Sequence, residues 1–264
     1  SSGQGFYSMG SASNMMVMTD EKKTTPKMTS ILHITDTKMK CLFGSQGSVG
    51  FSLKWFRDEF GAEEKEASKI LKNIVDSFEI MTLEGKKTHP GAGGTIYLPY
   101  LFGKFHPKFN PDATGVMFGL GALTSKQKII RAIMEGCVYN MYETVDSAKE
   151  IGLSLNEIIT SGGPSNSDLW CQIIADVSQT KVVTINSPEG STFGNAMLVG
   201  VASGIYSSFN EVVKHSVKRS KEYFPNTELK ELYSSLFSLY KEIDTVLGPY
   251  FQKLSELRVK YNLQ

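Results

Sequence analysis

Two adjacent glycines set between an apolar strand and an amphipathic helix, in Thr160-Ser161-Gly162-Gly163-Pro164-Ser165-Asn166-Ser167-Asp168-Leu169-Trp170, constrain this chain more than any other stretch. Glu157-Ile158-Ile159-Thr160 before the turn reads as a strand. After it, Leu169, Ile173 and Val177 recur at helical spacing, with Trp170 and Ile174 beside them. Such a turn lies at a strand's carboxyl end, where open α/β sheets bind ligands. Glycine lets a ligand approach backbone that a Cβ would shield, and the unpaired N–H groups that open a helix face an anion or polar group. A Gly-Gly turn is also ordinary strand-to-helix chemistry, so its neighbours must decide.

The size and charge narrow the class. The chain has 264 residues, a net charge of +1, and 41% hydrophobic and 21% charged residues, enough apolar material for one large or two small domains. No basic stripe points to nucleic acid, and the charge-dense stretches 20–23 and 63–66 read as solvated faces. No apolar run approaches a membrane span, and the first residues show no secretory signal, so the expected compartment is the cytosol. Cys41, Cys137 and Cys171 cannot all pair, and Cys137 falls on the apolar side of a helix, as a reduced core thiol would. His33, His89, His106 and His215 lack ligand spacing, which disfavours a metal cluster or a His-dependent nucleophile.

Along the chain, short β-rich runs at 4–7, 15–19, 30–34 and 39–43 suggest an antiparallel meander. Helices are expected over 48–60 and 64–81, the second presenting Ile70, Ile74, Val75 and Phe78 on one face. A loop over 85–94, a strand over 95–98 and an aromatic loop follow. From Ser125 the pattern becomes α/β alternation: a long helix to Glu150 with Ile130, Ile133, Cys137, Met141 and Val145 on one side, then strand 157–161, helix 167–179, strand 181–185 and helix 192–204. That alternation argues a parallel sheet with right-handed crossovers. Residues 209–264 read as helical, with Leu232, Leu236, Leu239 or Tyr240, Val246 and Tyr250 as a packing stripe.

Four segments occur in one order: Gly10-Ser11-Ala12-Ser13; Gly115-Val116-Met117-Phe118-Gly119-Leu120 with Arg131-Ala132-Ile133-Met134-Glu135-Gly136 downstream; Ser161-Gly162-Gly163-Pro164-Ser165-Asn166-Ser167-Asp168-Leu169-Trp170; and Glu189-Gly190-Ser191-Thr192-Phe193-Gly194-Asn195-Ala196. Together they resemble the C-terminal half of the FGGY carbohydrate kinases, of the xylulokinase and gluconate kinase type. The resemblance covers nearly the whole chain and implies a single α/β domain over 1–264, a ribonuclease-H-like (actin-like ATPase) fold with a mixed sheet and a C-terminal helical segment. It implies ATP-dependent phosphorylation of a sugar, sugar acid or polyol hydroxyl, with ATP/ADP and Mg²⁺ as the nucleotide and metal. Gly10, Ser11 and Ser13 would form the loop at the β- and γ-phosphates. Gly119 would lie near the phosphates, and Gly162, Gly163, Asn166 and Ser167 would cradle the adenosine end. Positioned N–H groups and small hydroxyls suit phosphoryl transfer, which asks mainly for orientation and charge stabilisation.

The sequence departs from the family pattern at Pro164, where a third glycine is usual; at Lys128, often His; and at Gly103-Lys104-Phe105-His106-Pro107, in place of Gly-Glu-Arg-x-Pro. FGGY kinases are roughly twice this length, and no Asp precedes Asp20. The catalytic base and most of the sugar pocket are therefore expected in an N-terminal domain, with no catalytic residue here. Phe102, Phe105 and Phe109 would lie on the face that this domain covers, and their exposure would favour self-association as a homodimer. Plainer roles compete at several positions. Ser11 and Ser13 also suit a hairpin turn. Glu135 suits helix packing or a backbone amide, Glu189 a turn or helix start, and Asp168 the macrodipole of its helix. Trp170 is a core anchor or an edge contact to adenine. The alternative function is a non-catalytic actin-like domain that binds nucleotide or a protein.

Overall fold

A computed structural model describes residues 2–72, 74–186 and 190–263. The chain opens with β1 (Gln4–Met9), β2 (Ser13–Thr19), β3 (Thr29–Leu32) and β4 (Lys40–Gln46). After three helices, β5 (Ile96–Leu98) and β6 (Val116–Phe118) form a separate antiparallel ladder. Three later strands, β7 (Glu157–Ser161), β8 (Lys181–Asn186) and β9 (Lys218–Tyr223), join the first four in a sheet of order β3-β4-β2-β1-β7-β8-β9. The β1–β7 and β7–β8 pairs are parallel and the other four antiparallel. The meander expected from sequence is modified in one respect: β3 lies outside β4, so β2 and β4 pair directly.

One face of this sheet makes the core. Burial alternates along β2, with Ser13, Met15, Val17 and Thr19 inside, as the two-residue period of a strand demands. Against that face lies α4 (Lys126–Glu150), begun by Ser125, whose hydroxyl accepts the Lys128 N–H. Ile130, Ile133, Cys137, Met141 and Val145 of α4 are completely buried, the stripe that the sequence spacing predicts. Each full-size aliphatic side chain so buried contributes roughly 1.5–3 kcal/mol, which makes α4 the principal anchor of the fold. Around it pack α1 (Val49–Phe60), α3 (Ser77–Lys86) and α5 (Asp168–Ser178). The remaining helices are α2 (Ala62–Ile70), α6 (Gly190–Ala202), α7 (Phe209–Ser216) and α8 (Lys230–Tyr261).

Two expected helices are corrected. The single helix over 64–81 is α2 and α3, because Lys72 takes a left-handed φ of 53° and the Asp76 carboxylate accepts the Phe78 N–H to start α3. Ile70 and Ile74 are consequently 72% and 83% exposed rather than part of a packing stripe. The region after 209 is not all helix, since β9 pairs along β8 through alternating charged residues, a pattern that reads as polar rather than as a strand. The buried residues of α8 are Tyr233, Phe237, Tyr240, Ile243 and Phe251, so of the stripe drawn from sequence only Tyr240 is buried.

Candidate nucleotide site

Parallel pairing of Ser8 with Ser161 ends β1 and β7 side by side. Their turns, Gly10-Ser11-Ala12 and Gly162-Gly163, therefore share one edge of the sheet. Thr160 ties the two strands just below, its hydroxyl donating to the Tyr7 carbonyl at 3.0 Å.

The hairpin turns its carbonyls inward. The Gly50 N–H donates to Gly10 O at 3.0 Å and the Phe51 N–H to Ser11 O at 3.2 Å, at the start of α1. These bonds satisfy two of the amides that a helix N-terminus leaves open, where Ser48 makes no side-chain cap. The Gly10 N–H donates to Ala12 O at 2.9 Å, whereas the amides of Ser11 and Ala12 have no hydrogen-bond partner among the described residues. Both residues are exposed.

The second turn has a similar polarity. Gly162 has φ +103°, and a Cβ there would run into the Met9 carbonyl oxygen, so packing on β1 alone requires glycine. Gly163 is different: nothing lies within 4 Å of where its Cβ would stand. Ser165 holds the Gly162 carbonyl with its N–H (3.0 Å) and its hydroxyl (2.6 Å). The Gly162 and Gly163 amides, like those of the hairpin, have no partner among the described residues. Asn166 is exposed beside them, and Ser167 is the N-cap of α5, its hydroxyl accepting the Trp170 N–H at 3.2 Å.

Two expected residues stand apart from these turns. Ser13 is 2% exposed, its hydroxyl donating to Gln46 Oε1 at 2.7 Å and lying 3.3 Å from the Tyr7 hydroxyl, while Gln46 Nε2 donates to Gly44 O and Thr144 Oγ1. It supports the hairpin from beneath. Gly119 ends β6 on the separate ladder with φ +83°, its backbone against Gly94 O. Lys128, also near Gly94's loop, donates from Nζ to Leu123 O at 2.8 Å. Glu189 lies outside the described residues.

The plainer roles hold at other positions. Glu135 Oε1 accepts from the Gly91 N–H (3.0 Å), Arg131 Nε (2.7 Å) and the Tyr233 hydroxyl (3.0 Å), all buried. Trp170 is 2% exposed and is a core anchor. Asp168 accepts from Lys221 and the Tyr223 hydroxyl, each at 2.7 Å, and these bonds hold its carboxyl below the usual range. No group of three His, Cys, Asp or Glu among the described residues could hold a metal.

An aromatic patch flanks the hairpin on the α1 side. Phe102, Phe105 and Phe109 are 56%, 46% and 63% exposed, and the Phe102 ring lies 4.6 Å from that of Phe51 in the first turn of α1. The loop carrying them is pinned from inside by Lys104, whose Nζ donates to Glu143 (3.0 Å) and Asp244 (2.6 Å). Lys104 is a buried cation with two carboxyl partners.

The chain has relatives among known proteins. The chain is 29% identical to the xylulose kinase of Bacillus subtilis (strain 168) over 93% of its own length and 47% of that protein. It is 33% identical to the gluconokinase of Bacillus licheniformis over 77% of its length and 39% of that protein. The fold superposes on the crystal structure of xylulose kinase from Rhodospirillum rubrum with a TM-score of 0.82 at 22% identity, over 96% of this chain and 49% of that one. The chain thus spans about half the length of the curated relatives it matches. Residues 5–203 match the family described as "FGGY family of carbohydrate kinases, C-terminal domain", and with its actin-like fold the chain belongs to that family.

Proposed function

We propose that this chain is the nucleotide-side domain of an ATP-dependent carbohydrate kinase that transfers the γ-phosphoryl group to a hydroxyl of a sugar, sugar acid or polyol. The observation that carries the proposal is the pair of turns on adjacent parallel strands, whose Ser11, Ala12, Gly162 and Gly163 amides all lack partners among the described residues. Phosphates meet such N–H groups readily, and phosphoryl transfer needs orientation and charge stabilisation more than side-chain chemistry. Gly10 and Ser11 belong to the phosphate side. Gly163, with open space over its Cα, and Asn166 belong to the adenosine side. Gly119 and Ser167 support the site through backbone position and helix capping.

The described residues do not fit a metal centre, so Mg²⁺ would arrive with the nucleotide phosphates. The base that deprotonates the sugar hydroxyl, and most sugar contacts, would come from a partner domain in cis or trans. We assign the Phe51, Phe102, Phe105 and Phe109 patch to that domain's docking, with homodimerisation through the same patch when it is absent. The whole of 1–264 acts as one domain in this reading, in the cytoplasm.

Calorimetry with Mg·ADP tests the first half, with weak but measurable binding expected. A coupled ADP-release assay over pentoses, hexonates and polyols should give no turnover by this chain alone and turnover once the partner domain is supplied. Nucleotide binding without turnover in the two-domain protein would favour a non-catalytic actin-like module, and robust turnover by this chain alone would refute the split assignment.

A further inference from the structure

Gly50 belongs to none of the glycine motifs, yet it is the point at which both turns meet one helix. Its N–H donates to Gly10 O at 3.0 Å. A Cβ at Gly50 would stand 2.5 Å from Gly10 O, 3.2 Å from Gly10 C and 3.4 Å from Pro164 Cγ. Nothing about its backbone calls for glycine, since its φ lies outside the left-handed region and Ala is the better helix former. The contact is what requires it.

We propose that Gly50 is a positioning residue that sets the spacing between the phosphate-side hairpin and the adenosine-side turn; the inference rests on the nucleotide reading above. The helix beneath Gly50 cannot give way. Val49, Leu53 and Phe56 of α1 are buried, the Ser48 hydroxyl donates to Pro99 O, and the Cys137 thiol lies 3.6 Å from Val49 O. An added methyl would therefore displace the Gly10 carbonyl, which is backbone and cannot rotate aside as a side chain would. The hairpin amides of Ser11 and Ala12 would move with it. Meanwhile the Gly162-Gly163 turn is fixed separately, by its close packing on Met9 O and by Ser165. Gly50 thus governs the distance between the two subsites. The same contact gives Pro164 a use: its ring rests over the glycine and completes the seat for α1.

Gly50→Ala separates spacing from simple binding. The chain is titrated with Mg·ADP, adenosine and inorganic pyrophosphate, each followed by backbone amide NMR shifts, with a thermal melt as the folding check. A ligand that must meet both turns suffers from a changed spacing, whereas a ligand that meets one does not. ADP should weaken by about tenfold while adenosine and pyrophosphate stay within about twofold of the parent. Unchanged ADP affinity, or an equal loss for all three ligands in a folded variant, overturns the proposal. Should Gly50→Ala fail to fold, Pro164→Ala carries the test, since it removes the Cγ over Gly50 and adds only an amide hydrogen. ADP should then weaken by about threefold with adenosine unchanged, and an unaltered ADP affinity overturns the proposal. Absence of ADP binding by the parent chain would instead remove the nucleotide reading, and this inference with it.

Discussion

The Glu135 cluster and the pair of glycine turns use polar groups in opposite ways. At Glu135 a single buried oxygen accepts from Arg131, Tyr233 and the Gly91 amide, and Arg131 also donates to Thr88 O. Every strong donor has been given a partner. At the turns, four amides on one sheet edge have none among the described residues, although three of the same peptides have their carbonyls, Gly10, Ser11 and Gly162, held by α1 and Ser165. Closed polar clusters stabilise a fold, and open ones leave hydrogen bonds to be completed by a ligand. The contrast also separates a buried glutamate in a signature segment, which is a structural residue, from the two exposed glycine turns, whose amides stay open.

The contrast is broken most severely at Glu135. Glu135→Ala strands a buried guanidinium, and we expect a loss of about 3–5 kcal/mol in urea unfolding. A loss below about 1 kcal/mol would mean that water replaces the carboxylate and the cluster is not closed. Next comes the pair within one turn. Gly162→Ala imposes both the collision with Met9 O and a φ of +103°, and should cost about 1–3 kcal/mol or more. Gly163→Val should leave the melting temperature nearly unchanged and abolish ADP binding. Equal stability losses at 162 and 163 would erase the distinction between a packing glycine and a ligand-facing one.

Ser13→Ala tests the support beneath the hairpin. It leaves Gln46 Oε1 without its donor in a dry site, for about 1–3 kcal/mol, and should blur the Ser11 and Ala12 amide signals. Sharp, unshifted signals would show that the hairpin holds itself. The last test reads a slope with pH instead of a single loss. Burial pushes the Glu143 carboxyl up to about 7 from its ordinary 4.5, against the pull of Lys104. The neutral form is thus favoured in the fold, so this contribution is complete below the unfolded value and fades as pH rises through 7. Burial holds the His106 imidazole down at about 4, which gives the opposite slope, stability lost as pH falls from 6.5 towards 4. The parent should therefore lose stability relative to Glu143→Gln as pH rises from 5 towards 7, measured as melting temperatures. Parallel curves would place Glu143 outside the titration.

Much of this was legible in the sequence, for reasons that can be named. The stripe of α4 repeats from Ile130 to Val145, and the strands around Gly162 are short, apolar and bounded by glycine, so periodicity and punctuation agree. Glu135 on a backbone amide and Trp170 in the core were each among the alternatives open at that level. Ser13 shows where motif outran pattern: the alternation that places Met15 and Val17 inside also places Ser13 inside. The break at Lys72 went unseen because Ile70, Ile74 and Phe78 mimic a helical face across it, although Asp76-Ser77 is a usable start signal. β9 carries Lys218, Arg219, Lys221 and Glu222, whose charges conceal a strand that lies at the sheet's edge. Gly50 left no local trace at all, since its reason is a carbonyl forty residues away.

The parallel pair of β1 and β7 brings Gln4 opposite Glu157, and this has a consequence in time rather than in space. A contact across so long a stretch of chain closes a large loop, and such contacts slow the folding search. The hairpin can form early from neighbours, as can the strand-turn-helix around Gly162, but each is only half of the proposed binding surface. Nascent chain shorter than β7 carries the first turn with nothing beside it. On the proposed nucleotide reading, binding competence is acquired late and all at once, when the two ends of the central sheet meet, so ligand binding would report on completed folding and not on partial order.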